Sequence, residues 1–287
     1  MTARLLEGGP IAAEIREGVA RDVASFVRSE GRPPGLRVVV VGSDAPSMVY
    51  LERILRGCAK VGIDSGFVEL ERDAREAMVT AAIRALNDDP TVDGIIVQMP
   101  LPAGIPLRAV IDAIQPAKDI DGLHPENAGL LAEGYDGFLP ATAQASVEIL
   151  KRSGIAIEGK HAVVVGRSNV VGKPAALLLL REHATVTICH SRTVDLASHT
   201  RTADIIIVAA GVPGLITGAM LKPGATIVDV GINVVEDGIV GDVDFASAQG
   251  VVGAISPVPG GVGPLTNAIL MQHLLDAARG QVKRSHD

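Results

Sequence analysis

The stretch Ala162–Ala176, AVVVGRSNVVGKPAA, decides the fold class. A short apolar run ends at Gly166, and a polar turn leads into a second apolar segment that begins near Gly172. The order strand, glycine turn, helix places backbone N–H groups at a helix N-terminus, where they favour an anion. The usual dinucleotide pattern would have glycines at 166, 168 and 171, but Ser168 stands in the middle here. The turn alone is therefore a weak indication of a dinucleotide site.

The next strand-like segment, Ala184–Arg192, predicts which dinucleotide would bind. NAD-binding folds usually carry an acidic residue at the end of this strand, where it holds the ribose 2′-hydroxyl. Here the end reads His190-Ser191-Arg192, and Arg167 lies in the glycine turn. Hydroxyl and guanidinium groups bind a 2′-phosphate that a carboxylate would repel. If a dinucleotide binds, NADP is favoured over NAD; if none binds, the two arginines are surface charges.

The rest of the chain alternates strand-like and helix-like segments. Residues 36–42, 65–70 and 92–102 read as strands, with helices between them at 47–62 and 74–90. The second half repeats the alternation, with further strands in ADIIIVAAG, ATIVDVG and GVVGAISPVPGG. Such alternation predicts an α/β fold with mostly parallel sheets covered by helices. A last helix is expected from Pro264, with Thr266 as its N-cap and a frayed tail from residue 281.

Composition limits the partners and the location. The formal net charge of -7 and the aromatic content of 2% argue against a nucleic-acid partner. Cys58 and Cys189 follow no metal-ligand spacing, so no metal is expected, and two buried thiols suit a reducing cytoplasm better than a disulfide would. The N-terminal segment does not resemble a signal peptide, and no stretch reaches the ~20 apolar residues of a membrane span. We expect a cytoplasmic protein.

Several motifs occur in a fixed order along the chain: IIVQMPLP, KDIDGLHPENAGLL, VVVGRSNVVGKP, DVGIN with GDVDF, and SPVPGGVGPLT. The last is a constrained, side-chain-poor loop that can bring backbone close to a flat ligand, although it could also be a plain connector. Together these motifs resemble the bifunctional methylenetetrahydrofolate dehydrogenase/cyclohydrolase enzymes, from about Pro34 to Leu275. Five ordered motifs are far more specific than the glycine turn alone.

The resemblance implies two α/β domains with a folate cleft between them, the second being a Rossmann-type NAD(P)-binding domain. We assign residues 1–140 and 268–287 to the first domain and 141–267 to the second. The resemblance also implies a homodimer. Its reaction would be hydride transfer from 5,10-methylenetetrahydrofolate to NADP, followed by hydration of the methenyl product to 10-formyltetrahydrofolate.

The resemblance also implies the site residues. Tyr50 matches the folate-stacking tyrosine, Gln98 the glutamine before the proline loop and Asp121 the aspartate that binds the pterin; these three are predicted to be catalytic and to bind substrate. A carboxylate and a carboxamide suit the donor and acceptor edge of a pterin, although each residue alone could be a turn or strand-end residue. The other predicted substrate residues are Pro259, Gly260 and Gly261. The predicted cofactor residues are Gly166, Arg167, Ser168, Gly172, Ser191, Arg192 and Ile232.

The chain departs from the family at the motif Tyr-x-x-x-Lys, because Ile54 stands at the lysine position. Hydration requires an oriented water and proton transfers, which a lysine can assist and an isoleucine cannot. Arg53 lies about 60° around the helix from Tyr50, and its guanidinium is a poor proton relay. We therefore expect a dehydrogenase with little or no cyclohydrolase activity.

A second departure is the segment Phe138–Ala145, where alanines at 141, 143 and 145 replace the family's Cys, Pro and Gly. This change affects the expected folate binding but not the cofactor site. Three alternatives remain open. The protein could be fully bifunctional with Arg53 or another group in place of the lysine, a silent paralogue that binds folate or a partner subunit, or an NADP dehydrogenase for a modified pterin.

Overall fold

The structure is a computed structural model that describes residues 2–42, 45–236 and 238–286; the side chains of residues 45–47, 49, 50 and 284–286 lie outside the description. The chain forms two compact units. The six-stranded unit comprises residues 1–13, 131–135 and 140–266. The three-stranded unit comprises residues 14–130, 136–139 and 267–287.

The elements alternate along the chain, as the apolar pattern predicts. The strands are β1 (Arg4–Leu5), β2 (Gly35–Val41), β3 (Asp64–Leu70), β4 (Gly94–Val97), β5 (His161–Val165), β6 (Thr185–Cys189), β7 (Ile205–Val208), β8 (Thr226–Asp229), β9 (Asn233–Val235), β10 (Gly238–Val240) and β11 (Ala254–Ile255). The helices are α1 (Gly8–Glu30), α2 (Ala45–Lys60), α3 (Glu76–Asp88), α4 (Leu107–Asp112), α5 (Pro125–Glu133), α6 (Ala141–Arg152), α7 (Gly172–Arg181), α8 (Leu196–Thr200), α9 (Phe245–Ala248) and α10 (Val262–His286).

The three-stranded unit is built on a parallel sheet in the order β3-β2-β4. The central strand β2 and its neighbour β4 are buried almost throughout, whereas the edge strand β3 is only partly covered. Continuous Val and Ile runs are typical of parallel strands that are covered on both faces. The predicted strands and the helices between them are confirmed.

The six-stranded unit contains a parallel sheet in the order β1-β11-β8-β7-β5-β6. From β5 the chain adds β6 on one side of that strand, and then continues with β7 and β8 on its other side. Parallel α/β sheets bind ligands beyond the carboxyl ends of the strands at such a reversal of strand order. The α/β fold is confirmed, and the predicted glycine turn lies at this reversal.

The N-terminus differs from the expected domain division. Strand β1 pairs in parallel with β11, so residues 1–13 group with the six-stranded sheet rather than with the first domain. The pairing adds only two residues to the sheet, which is too short a pattern to detect in the sequence. The domain bounds 1–140 with 268–287 and 141–267 otherwise stay a prediction.

The start and end of the last helix were predicted wrongly. α10 begins at Val262, so Thr266 lies inside the helix, and its hydroxyl donates back to the Val262 carbonyl (3.4 Å) instead of capping the N-terminus. This back-bonding is common for threonine within helices. The helix also continues to His286, past the point at which the tail was expected to fray.

The segment after Pro140 is helical, and both thiols are enclosed. Ala141, Ala143 and Ala145 are completely buried in α6. Cys58 and Cys189 are free and buried, as predicted. None of the described helices is long and apolar enough to cross a membrane.

Candidate active site

Asp121 lies in a tight turn that begins beside β4. The backbone of Asp119 forms an isolated parallel bridge with Ile95, and the Gly122 N–H donates to the Asp119 carbonyl (3.1 Å). Gly122 has φ +67°, which glycine adopts without strain. Asp121 is therefore the third residue of a turn, and Gln98 follows the strand that this turn adjoins.

The buried ammonium of Lys118 fixes the start of this turn. Lys118 is 4% exposed, and its Nζ donates to the carbonyls of Leu86 (3.1 Å), Asn87 (2.7 Å) and Asp89 (2.9 Å). These carbonyls lie at the C-terminal end of α3, where helices leave acceptors unpaired and favour a cation. Burial lowers the pKa of Lys118, while Asp93 and Asp89 act in the opposite direction. The charge is thus held at a defined place in the fold.

Asp119 supports the turn from the other direction. Its buried Oδ2 accepts hydrogen bonds from the His124 N–H (2.7 Å) and from Asn127 Nδ2 (2.9 Å). Asn127 also donates to the Pro116 carbonyl (3.1 Å). The carboxylate of Asp119 is therefore occupied by structural partners and ties the turn to α5.

The Asp121 carboxylate, in contrast, accepts no hydrogen bond from any described residue, although it is half-buried. Burial, and after it the negative charge of Asp119, raises the pKa of Asp121 to about 7. A carboxyl group with this pKa exists in both protonation states near neutral pH, so it can donate as well as accept. An unpaired carboxyl with a strongly shifted pKa is a candidate functional group.

Gln98 offers a complementary group. Its backbone N–H extends the sheet by donating to Val39 (2.8 Å), and its Nε2 donates to the Met99 carbonyl (3.1 Å). Its Oε1 is buried and has no hydrogen-bond partner among the described residues. A buried acceptor without a partner costs stability unless a ligand or water satisfies it. Gln98 therefore presents an acceptor, and Asp121 a donor or acceptor, within the same unit.

Ile54 lies on α2 and is 2% exposed. It lines a small cavity whose other residues are Leu36, Cys58, Asn267, Leu270, Met271 and Leu274. Burial raises the pKa of the Cys58 thiol to about 12. Arg53 and Arg56 are exposed, and Arg56 pairs with Glu52 instead. No cation lines the cavity around Ile54 in the described part of the chain.

The side chain of Tyr50, the remaining predicted substrate residue of this unit, lies outside the description.

The six-stranded unit brings the predicted cofactor residues to one edge of its sheet. The Gly166 N–H donates to the Cys189 carbonyl (2.8 Å), so the turn after β5 adjoins the turn after β6, which contains Ser191 and Arg192. Gly166 has φ +133°, and a Cβ there would overlap the Ala209 carbonyl after β7. A Cβ on Gly172 would overlap the Gly166 carbonyl. Both glycines are therefore required for the close approach of three backbone segments.

Ser168 has a role that the glycine pattern did not predict. Its Oγ accepts from the N–H groups of Val171 (3.1 Å) and Gly172 (3.3 Å) at the start of α7. The serine hydroxyl therefore caps two of the N–H groups at this helix N-terminus. Ser168 takes the place of the missing middle glycine by stabilising the turn.

The cationic and apolar side chains at this edge are open to solvent. Arg167, Ser191 and Arg192 are exposed, and no carboxylate follows β6 before Asp195. Ile232, after β8, is 67% exposed. These residues thus lie beyond the carboxyl ends of neighbouring parallel strands, and their role in binding a cofactor stays a prediction.

Two buried aspartates, which the sequence analysis did not single out, hold the loops of this edge. Asp242 Oδ2 accepts from the N–H groups of Ala210 (2.6 Å) and Gly211 (2.8 Å) after β7. Asp229 accepts from the N–H groups of Gly231, Asp242 and Val243. Burial raises the pKa of Asp229 to about 6, even though these N–H groups act to lower it. The motif DVGIN with GDVDF therefore supplies structural carboxylates, a role that its buried strand end and paired aspartates could have suggested.

The proline-glycine loop is a packed turn. The Gly261 N–H donates to the Pro257 carbonyl (2.8 Å), and the Gly8 N–H donates to the Gly260 carbonyl (2.9 Å). Pro259 and Gly260 are exposed, whereas Gly261 is buried, and Gly260 has φ +111°. The predicted substrate residues of this loop thus present backbone rather than side chains.

Among the described residues, no group of three or more His, Cys, Asp or Glu is arranged to hold a metal ion.

Comparison with known proteins identifies the family. Residues 6–121 match the model of the tetrahydrofolate dehydrogenase/cyclohydrolase catalytic domain, and residues 140–282 match that of its NAD(P)-binding domain. The chain is 50% identical over 287 residues to the bifunctional protein FolD of Roseiflexus sp. (strain RS-1), covering 100% of both chains. The chain belongs to the tetrahydrofolate dehydrogenase/cyclohydrolase family. The resemblance inferred from the five motifs is confirmed.

Solved structures of this family show the same architecture. The bifunctional FolD enzyme from Campylobacter jejuni is 42% identical, with a TM-score of 0.94 over 97% of this chain and 99% of that one. The FolD enzyme from Trypanosoma brucei, solved as a complex with NADP and an inhibitor, is 36% identical, with a TM-score of 0.95 over 99% of both chains. The two α/β units are those of FolD proteins.

The raised pKa of Asp121 predicts a pH-dependent cost to stability. Between about pH 4 and pH 7 the unfolded chain loses the Asp121 proton while the folded chain retains it, so this group lowers stability as pH rises. Asp121→Asn removes that cost. We expect its gain in the free energy of unfolding, measured with urea, to be about 1 to 2 kcal/mol larger at pH 8 than at pH 5, allowing for the partial exposure of the carboxyl.

The control for this measurement is Asp73→Asn, because Asp73 is exposed. It should change stability equally at both pH values. An equal effect of Asp121→Asn at pH 5 and pH 8 would contradict the assignment of a raised pKa.

Proposed function

We propose that the protein oxidises 5,10-methylenetetrahydrofolate to 5,10-methenyltetrahydrofolate with NADP, and that its cyclohydrolase activity is lost or weak. The observation that carries the first part is the edge of the six-stranded sheet, where a glycine turn adjoins Ser191 and Arg192 without an acidic residue. Membership of the family and the NADP complex of the Trypanosoma brucei relative support the same cofactor.

The residues at this edge suit NADP in shape and charge. Gly166 and Gly172 let the backbone of the turn pack closely, because a Cβ at either position would overlap a backbone carbonyl, so at these two positions the turn would present backbone to the dinucleotide. We assign the 2′-phosphate to Ser191 and Arg192, with Arg167 as a second cation, because guanidinium groups bind phosphate through paired hydrogen bonds. Ile232 would pack its exposed apolar side chain on the ligand. When bound, NADP supplies the hydride acceptor.

In the three-stranded unit, Asp121 and Gln98 would bind the pterin ring. The pterin edge carries donors and acceptors next to each other, and the unpaired groups of Asp121 and Gln98 offer matching partners. Tyr50 would stack on the flat part of the substrate. The predicted substrate residues Pro259, Gly260 and Gly261 belong to the six-stranded unit and would contribute backbone. Hydride transfer requires mainly that the donor and acceptor carbons be positioned, so no residue need move a proton in that step.

The proposed loss of the hydration step rests on Ile54. In the alignment that the family motif suggests, this residue takes the place of a lysine, and its side chain is buried among apolar groups. Isoleucine can neither orient a water by hydrogen bonding nor exchange a proton. The relative from Roseiflexus is named a bifunctional protein, which keeps the full two-step activity as the second candidate function.

The remaining alternatives have less support. Arg53 is exposed while Ile54 is buried, so Arg53 does not occupy the same space as the isoleucine. A silent paralogue would have no need for an unpaired Asp121 and Gln98, each of which costs stability. The buried alanines at 141, 143 and 145 lie in a packed helix, which gives no specific reason to prefer a modified pterin.

The free buried thiols suit the cytoplasm, where we place the protein.

Arg192 provides the test of the cofactor assignment. Arg192→Ala should raise the KM for NADP about tenfold, because it removes charge-assisted hydrogen bonds to the 2′-phosphate. The KM for NAD, which lacks that phosphate, should stay within about twofold. Arg108→Ala, which removes an exposed arginine from the three-stranded unit, is the matched control. Equal effects of Arg192→Ala on both cofactors would refute the assignment.

Ile54 provides the test of the hydration step. The wild-type protein should not accelerate the hydrolysis of 5,10-methenyltetrahydrofolate above the spontaneous rate. Ile54→Lys should accelerate it, because the new ammonium can donate hydrogen bonds and exchange a proton. Ile54→Met, which is similarly long and has no amine, is the control, and thermal unfolding would establish that each variant is folded.

Enzyme-accelerated hydrolysis by the wild-type protein would favour the fully bifunctional alternative. Failure of folded Ile54→Lys to gain activity would show that the site differs from its bifunctional relatives at further positions.

We also propose that the protein is a homodimer and that the hairpin of β9 and β10 contributes to the interface. Val234 and Ile239 lie opposite each other in the hairpin, so their side chains share a face. They are 82% and 46% exposed. Contiguous exposed apolar side chains are typical of surfaces that another chain covers.

The hairpin predicts a change of mass in solution. Light scattering after size exclusion should give a dimer for the wild-type protein and a monomer for Val234→Lys/Ile239→Lys. Val194→Lys replaces a single apolar residue that is 86% exposed elsewhere in the same unit, and it should leave the dimer intact. A wild-type monomer would refute the homodimer, and a dimeric double variant would place the interface elsewhere.

A further inference from the structure

His273 connects the last helix to the turn that carries Asp121. It lies on α10, is 7% exposed, and its Nδ1 is 2.8 Å from the Ile120 carbonyl. A carbonyl only accepts, so Nδ1 must carry the proton and donate. Burial lowers the pKa of His273, which keeps the ring neutral at neutral pH. Ile120 directly precedes Asp121, so this bond acts on the peptide unit next to the proposed pterin-binding carboxyl.

The imidazole is itself held in place. Its ring lies against Phe138, with ring centroids 5.5 Å apart and planes at 56°, which is a favourable tilted arrangement. The Phe138 N–H donates to Asn127 Oδ1 (3.3 Å), and Asn127 Nδ2 donates to Asp119 (2.9 Å). Successive contacts therefore link Asp119 through Asn127, Phe138 and His273 back to Ile120, the residue next to Asp119. All of these residues belong to the three-stranded unit.

We propose that His273 is a positioning residue for substrate binding, and that its hydrogen bond to the Ile120 carbonyl sets the orientation of Asp121. The proposal rests on the proposed function, because it assigns the consequence to folate rather than to the cofactor. Lys118 and Asp119 fix the beginning of the turn. Among the hydrogen bonds of the described residues, His273 supplies the one that joins a side chain of another element to the backbone of residues 120–122. Without it, the carbonyl of the peptide unit before Asp121 would lose its side-chain donor.

The experiment compares variants of the full chain in the dehydrogenase reaction. His273→Leu keeps an apolar contact with Phe138 but cannot donate to Ile120. We expect it to lower kcat/KM for methylenetetrahydrofolate about tenfold, because small displacements of a binding group have large effects on reactivity. The KM for NADP should stay within about twofold. His273→Asn, whose Nδ2 can occupy nearly the same position as the imidazole Nδ1, should recover activity to within about threefold of the wild type.

Gln281→Leu is the matched control. Gln281 also lies on α10, and its Nε2 donates to a backbone carbonyl of the same unit, that of Asp93 (2.9 Å). Its removal takes away the same kind of bond about 12 Å further along the helix. We expect it to lower the melting temperature without changing the kinetic constants for folate.

Amide hydrogen exchange of the Asp119–Gly122 turn supplies a readout that does not depend on turnover. His273→Leu should increase exchange there, and His273→Asn should restore it. A wild-type protein without dehydrogenase activity would refute the proposed function, whereas the exchange measurement would still test the support of the turn. If His273→Leu does not fold, Phe138→Leu replaces it, with an expected loss of about threefold in kcat/KM for folate.

Three results would overturn the proposal. His273→Leu could leave both the folate kinetics and the exchange of the turn unchanged. It could impair NADP and folate equally, which indicates a general structural role. Finally, His273→Asn could fail to restore what His273→Leu loses, which would show that the hydrogen bond is not the cause.

Discussion

The ammonium of Lys118 donates three hydrogen bonds to the carbonyls at the end of α3, and the arrangement of the three-stranded unit's candidate site depends on it. A buried charge is costly unless it is paired, and here the partners are helix carbonyls that would otherwise lack donors. The hydrogen bonds between the ammonium and these carbonyls satisfy both groups, and they fix the chain just before the turn at Asp119–Gly122. The carboxyl of Asp121 is then presented without a partner of its own, which is a cost in stability that a ligand can relieve.

In the six-stranded unit, close packing of backbone segments, rather than a buried charge, fixes the loops of the candidate site. The segments after β5, β6 and β7 approach closely because Gly166 has no side chain, and Ser168 and Asp242 satisfy the N–H groups that this approach would leave unpaired. The edge therefore keeps a fixed shape, while the cationic side chains of Arg167 and Arg192 extend into solvent. Rigid backbone with exposed cations is well suited to a large phosphorylated ligand.

Much of this could be predicted from the sequence, because the main elements carry local signals. Buried Val and Ile runs bounded by glycine and proline predicted β2, β4, β5, β7 and β8, and five ordered motifs predicted the family. The elements that were missed depend on partners far away in the chain. Strand β1 exists only through its pairing with β11, and the hairpin of β9 and β10 is anchored by Asp229 and Asp242.

The same limit applies to the site. Gln98 and Asp121 were predicted from their motifs, whereas His273 was not, since its partner Ile120 is 153 residues away and no local pattern connects them. Thr266 was misassigned as an N-cap because a threonine near a helix start can either cap the helix or lie inside its first turns. Only the observed start at Val262 decides between the two positions. Ile54 illustrates the opposite case, in which a single departure from a motif predicts a functional difference that its burial alone would not reveal.

The most direct test of the account is the fate of the product in a single reaction of the wild-type protein with methylenetetrahydrofolate and NADP. NADPH would be followed by absorbance, and the folate products would be separated and quantified at each time. We predict that 5,10-methenyltetrahydrofolate accumulates in a one-to-one ratio with NADPH and converts onward only at the rate seen without protein. Formation of 10-formyltetrahydrofolate in step with NADPH would contradict the account and show that both activities are present.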